Sequence, residues 1–326
     1  MKPVIAHVAW RLCSRALKEI WALKRMGYDV RVIAHKAVPE IHSVTTDIIP
    51  YRTKRDLPDA IKKAGADIYH CHVDPFEIAI ITKEGGAKVV MDVHDSDPPR
   101  GLPLNPDEQD AFDCVDATVH VSEPYRDYLR DIYNFTSPSI VLYSLANKDF
   151  FKSDRETYYR GVVYQGLAWT EGYGEQFRYA DFTEVFGNLV SRGIRVYAYL
   201  ANQKANRKYR ETGAKILGSL DYSFLMGQLP FYEWGLVYFP IINDQIESAM
   251  PNKVFDYMAA GIPMIANRGT FFGDFIESAG IGIAVDSLDE IDLAGAIYYK
   301  SRIYGMREEW AMERHIHKLI ELYEEL

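Results

Sequence analysis

Residues 251–266 read Pro251-Asn-Lys-Val-Phe-Asp-Tyr-Met-Ala-Ala-Gly-Ile-Pro-Met-Ile-Ala266. Asn252 can cap a helix, Gly261 can stop it, and Pro263 opens an apolar run. This spacing predicts a helix over 252–260 followed by a buried strand over 263–266. A helix start leaves backbone N–H groups unpaired and carries the positive end of the helix dipole. Lys253 adds a full charge beside them, a combination suited to a phosphate or diphosphate. Asp256 lies one turn further on, where a carboxylate can accept hydrogen bonds from a ribose. A capped helix with no ligand fits the same residues.

The helix–strand alternation extends in both directions. Apolar runs at 4–9, 29–34, 67–71, 88–93, 117–121 and 139–143 read as strands covered on both faces. Helical patterns separate them, including 17–26, 57–64, 75–82 and 124–133. A polar stretch at 147–160 has few aliphatic residues and is the expected linker. The pattern then restarts, with strands at 161–164, 195–200, 215–217, 234–239, 263–266 and 283–285. Helices are expected between them, then at 288–297 and 306–324. The fold class is therefore α/β, with two Rossmann-like domains facing each other across a cleft. Their expected bounds are 1–150 and 151–305. The helix at 306–326 either caps the second domain or returns to the first.

Composition limits the partners. The chain has 326 residues, enough for two domains. Its 46 acidic and 37 basic residues give a net charge of −9, which argues against a nucleic-acid partner. The three cysteines, Cys13, Cys71 and Cys114, are widely spaced and odd in number. They suit a reduced compartment and offer no thiolate metal motif. The start shows no long signal-like apolar region and no run reaches a membrane span. A cytoplasmic protein is expected, with peripheral docking at the inner face of the membrane left open. The 23 tyrosines suit either a Tyr-built core or a cleft for polar ligands.

The run at 251–266 resembles the signature of retaining glycosyltransferases of the GT-B fold, the glycogen-synthase-like group called group 1 or family 4. The resemblance extends through Gly218-Ser-Leu-Asp-Tyr222, through 232–240, and through Gly280-Ile-Gly-Ile-Ala-Val285. It is strong over 216–286 and weak elsewhere. It implies a nucleotide-diphosphate sugar as donor substrate, bound by the second domain, and no required cofactor.

The family's two glutamates stand eight positions apart. Asp256 matches the second, the ribose ligand, and Ser248 falls at the first, with Glu247 and Asp244 as neighbours able to replace it. Asn252, Lys253 and Val254 would then form the diphosphate-binding helix start, with Gly166 at the end of the second domain's first strand. The family's Arg/Lys pair near that strand has no counterpart before Arg178. Lys253 is the preferred substitute. Lys204, Arg207, Lys208 and Arg210 read better as a solvated helix face.

In the first domain, His94 matches a strand-end histidine near the donor sugar. Arg11 or Arg15 would reach an anion from a first loop that lacks glycine. His72 or Asp74 would line the acceptor side, and a metal on His70, His72 and Asp74 is not expected. His120 and Ser122 read as structural and capping residues, with Glu123 facing the cleft. Cys13 has no histidine near it in sequence. The expected function is transfer of a hexosyl unit to a hydroxyl acceptor, carbohydrate or lipid-linked, with retention. A sugar-nucleotide epimerase and a degenerate nucleotide-sugar-binding protein are the alternatives.

Overall fold

The computed structural model describes residues 2–37, 41–42, 44–73, 75–200 and 205–326. Asp74 and Lys204 lie outside them. Two compact units divide the chain: Met1–Asn147 with Ala311–Leu326, and Lys148–Trp310.

The first unit runs β1 (Val4–Arg11), α1 (Ser14–Arg25), β2 (Asp29–Lys36), β3 (Ile48–Pro50), α2 (Leu57–Ala64), β4 (Ile68–Val73), α3 (Glu77–Glu84), β5 (Lys88–Val93), α4 (Pro106–Cys114), β6 (Ala117–His120), α5 (Glu123–Tyr133) and β7 (Ser139–Val141). Its parallel sheet has the order β3-β2-β1-β4-β5-β6-β7. Ser122 caps α5 by accepting from the Tyr125 N–H, as its sequence position predicts.

The second unit runs β8 (Tyr159–Gly166), α6 (Thr183–Ser191), β9 (Val196–Leu200), α7 (Ala205–Arg210), β10 (Lys215–Ile216), α8 (Tyr222–Gln228), β11 (Tyr232–Val237), α9 (Asp244–Ser248), α10 (Asn252–Ala260), β12 (Met264–Asn267), α11 (Phe271–Ser278), β13 (Gly282–Val285) and α12 (Ala296–Met306). Its parallel sheet has the order β10-β9-β8-β11-β12-β13. Two short helices, α13 (Met312–His315) and α14 (His317–Glu324), complete the first unit. No helix among the described residues is long and apolar enough to cross a membrane.

In each sheet the strand order reverses beside the first strand, between β1 and β4 and between β8 and β11. Ligands of doubly wound sheets bind beyond the strand ends at such reversals. In the second unit, α10 is anchored there. Val254, Phe255 and Met258 are buried, each contributing about 1.5–3 kcal/mol. The Tyr257 hydroxyl donates to the Val163 carbonyl of β8 at 3.0 Å.

Three local expectations change. The helix expected at 288–297 forms instead at 296–306. Arg192 donates to the carbonyls of Asp289 and Ile291 at 3.1 and 3.2 Å, which engages groups a helix would use internally. Gly295 then starts α12 from a left-handed φ of 83°, a conformation that glycine adopts without steric cost. The helix expected at 306–324 breaks at Ala311, whose ψ is 141°. The Met312 N–H donates to the Ala146 carbonyl at 3.1 Å. The apolar residues of this segment divide accordingly: Trp310 packs on Phe255 and Phe275 of the second unit, and Ile316, Leu319 and Tyr323 are buried in the first. The edge strand β3 went unread because three residues carry too little periodicity.

Candidate functional site

The second unit gathers its chemistry where β8 ends and α10 begins. Pro251 occupies the cap position and provides no side-chain hydrogen bond. Asn252 is the first helical residue, so the expected Asn252 cap does not form. The Val254 N–H donates to the Pro251 carbonyl at 3.1 Å and is thus used within the first turn.

Lys253 turns its ammonium into a set of aromatic faces. Nζ lies 4.1 Å from the centre of the Tyr164 ring, 4.8 Å from Phe239 and 5.9 Å from Phe182. Tyr164 belongs to β8, and Phe239 follows β11, so the amine stands at the β8/β11 reversal. Burial among these rings lowers its pKa to about 7, against a smaller opposing effect of Asp256. Gly166 closes this space. Its φ is 135°, and a Cβ there would lie 3.7 Å from Lys253 Nζ. A helix start, a buried amine and a glycine without a side chain are thus neighbours at this strand end.

Asp256 is buried, with both carboxylate oxygens engaged. It accepts from Gln165 Nε2 at 2.9 Å and from the Tyr222 hydroxyl at 2.8 Å. The residue expected to meet a ribose therefore already fastens β8 and α8 to α10. Asp244 and Glu247 are exposed on α9, a single turn capped by Asn243, whose Oδ1 accepts from the Ile246 N–H at 3.0 Å. The Ser248 hydroxyl donates to the Asp244 carbonyl in the same turn.

Arg178 and Lys208 are engaged elsewhere. Both lie over Trp169, at 4.0 and 4.5 Å, and Lys208 pairs with Asp181 at 2.9 Å. Arg207 is exposed on α7, as the solvated-face reading predicts.

The first unit holds a buried polar network that the sequence reading did not anticipate. Asp92 of β5 accepts from Arg15 Nε at 2.8 Å, and Arg15 Nη1 donates to the Leu142 carbonyl at 2.7 Å. Arg15 is therefore directed inward and is no surface anion ligand. Arg11 ends β1 in register with Lys36 and is exposed.

His94, just beyond β5, places Nε2 3.3 Å from Asp92 Oδ2 and Nδ1 3.9 Å from Cys13 Sγ. Burial alone would lower the His94 pKa, but Asp92 and Cys13 raise it to about 10. Burial raises the Cys13 pKa, yet His94 and the Ala16 backbone bring it below its ordinary value. The fold thus gives Cys13 the histidine partner that its sequence neighbours lack. His120 is buried and bonded to Thr118, in line with a structural role. The signal for the network was present: His7, His70, His72 and Asp92 interrupt apolar strands, and Arg15, Lys18 and Glu19 share one helix face.

Residues 173–311 match the family model described as "Glucosyltransferase 3-like, C-terminal domain". No curated protein matches the sequence. Solved structures do. A glycosyltransferase from Rickettsia africae aligns at TM-score 0.69 and 13% identity, over 99% of this chain and 98% of that one. HepE of Anabaena, in complex with UDP and glucose, aligns at TM-score 0.70 and 10% identity, over 98% and 99%. A putative UDP-N-acetylglucosamine 2-epimerase from Listeria monocytogenes aligns at TM-score 0.61 and 12% identity, over 98% and 95%. The chain has the GT-B fold of two Rossmann-like domains.

Proposed function

We propose that this protein is a nucleotide-sugar-dependent glycosyltransferase that moves a hexosyl unit to a hydroxyl acceptor with retention at the anomeric carbon. The observation that carries this reading is the placement of Lys253. Its amine stands in an aromatic enclosure at the β8/β11 reversal, beside Gly166 and the first turn of α10.

In the proposed reaction the donor diphosphate lies on that helix start. Glycosyl transfer breaks the bond between the anomeric carbon and the diphosphate oxygen, so negative charge grows on the leaving group. Protonated Lys253 and the α10 dipole stabilise that charge. The attacking hydroxyl's proton passes to the departing diphosphate oxygen on the same face. Asp256 acts as a positioning residue, holding Gln165 and Tyr222 around the start of α10. In the first unit, His94 would contribute its positive charge near the sugar, since both of its ring nitrogens face protein partners.

The match of residues 173–311 to a glucosyltransferase-type domain supports this reading. So does the UDP and glucose complex of the Anabaena protein with the same fold. The test is calorimetric titration with UDP-, GDP-, ADP- and dTDP-glucose. The tightest binder is then followed by NMR for hydrolysis or transfer and for the anomeric configuration of the product. Binding by one donor with slow hydrolysis is expected. If none of the four binds, the reading is wrong. Binding without turnover in the presence of sugar and lipid acceptors would instead identify a nucleotide-sugar-binding protein.

A further inference from the structure

Three imidazoles and a carboxylate converge inside the first unit, on the sheet face beneath α1. His7 of β1 and His70 of β4 are register partners, and their rings stack 4.8 Å apart. His72 shares that face, two residues along the same strand. Its Nε2 lies 2.8 Å from His7 Nδ1. Glu19 reaches the group from α1, with Oε2 3.6 Å from His70 Nε2 and 3.8 Å from His72 Nε2.

His7, Glu19 and His70 are wholly buried, and His72 is 3% exposed. Among the described residues, His7 Nε2, His70 Nε2 and both Glu19 oxygens nevertheless lack a hydrogen-bond partner. Glu19 Oε1 faces Arg15 Nε at 3.3 Å and His70 Nε2 faces Asp92 Oδ2 at 3.4 Å, while His7 Nε2 and Glu19 Oε2 remain buried polar atoms that call for a partner.

We propose that His7, Glu19, His70 and His72 form a closed, four-ligand site for a divalent cation of the zinc class. One donor atom from each residue falls within 4.8 Å of all the others. Bonds of about 2.0–2.1 Å in tetrahedral geometry place donors about 3.3 Å apart, which small side-chain adjustments reach from the distances found.

The surrounding shell has the form such sites take, in which each ligand is oriented by an outer partner. His70 Nδ1 meets the Tyr323 hydroxyl at 2.7 Å. His72 Nδ1 lies 3.3 Å from Asp92 Oδ2, and Glu19 Oε1 lies 3.3 Å from Arg15 Nε. Four protein ligands with no solvent-facing position make the ion structural, joining β1, α1 and β4. The site departs from the sequence expectation, which weighed His70 and His72 with Asp74 and found no metal; the fold supplies His7 and Glu19. It is independent of the proposed anion site in the second unit.

The test uses the full chain, purified without chelator and, in parallel, refolded from guanidinium with Co2+ or with EDTA. Metal content is measured after desalting, and the cobalt protein is examined by visible absorption. One retained ion per chain, the strong absorption of tetrahedral cobalt and a higher melting temperature than the EDTA-refolded chain are expected. Glu19→Gln and His70→Gln should each abolish stoichiometric retention.

Should either variant fail to fold, Tyr323→Phe keeps all four ligands and should weaken retention by about 10-fold or more. A folded wild-type chain that takes up no zinc or cobalt overturns the proposal. So does retention that survives both Glu19→Gln and His70→Gln unchanged. Neither result bears on nucleotide-sugar binding.

Discussion

Lys253 holds its Nζ 4.1 Å from the centre of the Tyr164 ring. The contact decides what kind of residue Lys253 is. A cation over an aromatic face gains about 0.5–2 kcal/mol, less than an ammonium loses when its hydration is removed. The charged form is accordingly disfavoured, and the pKa falls to about 7. An anion placed beside it would reverse that balance. The lysine is held in a state that a diphosphate would complete.

This gives donor binding a specific pH dependence. UDP-glucose is a suitable probe because its diphosphate, esterified at both ends, has no titration near neutrality. Binding favours the protonated amine, so the bound pKa lies above the free value. Below pH 7 the free amine is already protonated and affinity is level. Above pH 7 binding must take up a proton, and affinity falls by up to about tenfold per pH unit. Calorimetry at pH 6, 7, 8 and 9 in buffers of different ionisation enthalpy should show proton uptake on the alkaline side. A flat profile would exclude Lys253 as the anion's partner.

Replacing the amine separates its binding role from its effect on the fold. Lys253→Met preserves the apolar stem and should lower UDP-glucose affinity by about 10- to 100-fold, the equivalent of one charge-assisted hydrogen bond. The stability of the free protein should move the other way at acid pH. In the wild type, the unfolded state binds more protons than the folded state between pH 7 and 10.5. Lys253 therefore makes stability rise with pH across that window, and its unfavourable contribution is complete below it. The melting temperature of Lys253→Met relative to wild type should be most favourable at pH 6 and shrink toward pH 10.

Gly166 tests the other wall of the proposed anion site. At φ 135° an L-residue is strained, and a Cβ would stand 3.4 Å from the Tyr164 hydroxyl and 3.7 Å from Lys253 Nζ. Gly166→Ala should lower stability by about 1–3 kcal/mol. UDP-glucose affinity should fall as well, because the new methyl group occupies the space an anion would enter. Denaturant midpoints at constant slope, with calorimetry on the folded variant, measure the two effects separately.

The architecture was legible because its strands are continuous apolar runs and its helices end at glycines such as Gly261. The nearness of Gly166 and Lys253 was legible as two ends of adjacent elements, and whether they bind an anion is the proposal tested above. The state of Asp256 was not. Its two oxygens accept from Gln165 and Tyr222, 91 and 34 positions away, and no local pattern reports that. The same holds for Arg15, which looks like a loop cation in sequence but becomes buried when β5 brings Asp92 beneath it. The displaced helix at 296–306 depends on Arg192, about a hundred residues earlier in the chain.

The Arg15–Asp92 pair should show the asymmetry of buried ion pairs. Arg15 Nε lies 2.8 Å from Asp92 Oδ2, with both side chains nearly or wholly buried. Arg15→Met leaves the Asp92 charge without its guanidinium and should cost about 3–5 kcal/mol. Arg15→Met with Asp92→Leu removes both charges and should recover much of that loss. Chemical denaturation of the three proteins gives the coupling directly. A double variant no more stable than Arg15→Met would show that Asp92 is held mainly by its histidine neighbours.

The three thiols should separate by reactivity. Cys13 stands at the cap position of α1, where the helix dipole favours a thiolate, and its Sγ is 3.9 Å from His94 Nδ1. Its pKa is lowered, with His94 as the largest lowering influence. Cys71 is fully buried, and desolvation pushes its thiol up to about 12. Cys114 is raised by the same cause. Thiolate is the reacting form, so iodoacetamide at pH 7.5 should label Cys13 first, by about tenfold or more over the other two. Peptide mapping by mass spectrometry locates the label. His94→Gln removes the neighbouring positive charge and should slow Cys13 alkylation while leaving Cys71 and Cys114 unchanged. Equal labelling of Cys13 in the wild type and in His94→Gln would mean that the helix start alone activates the thiol.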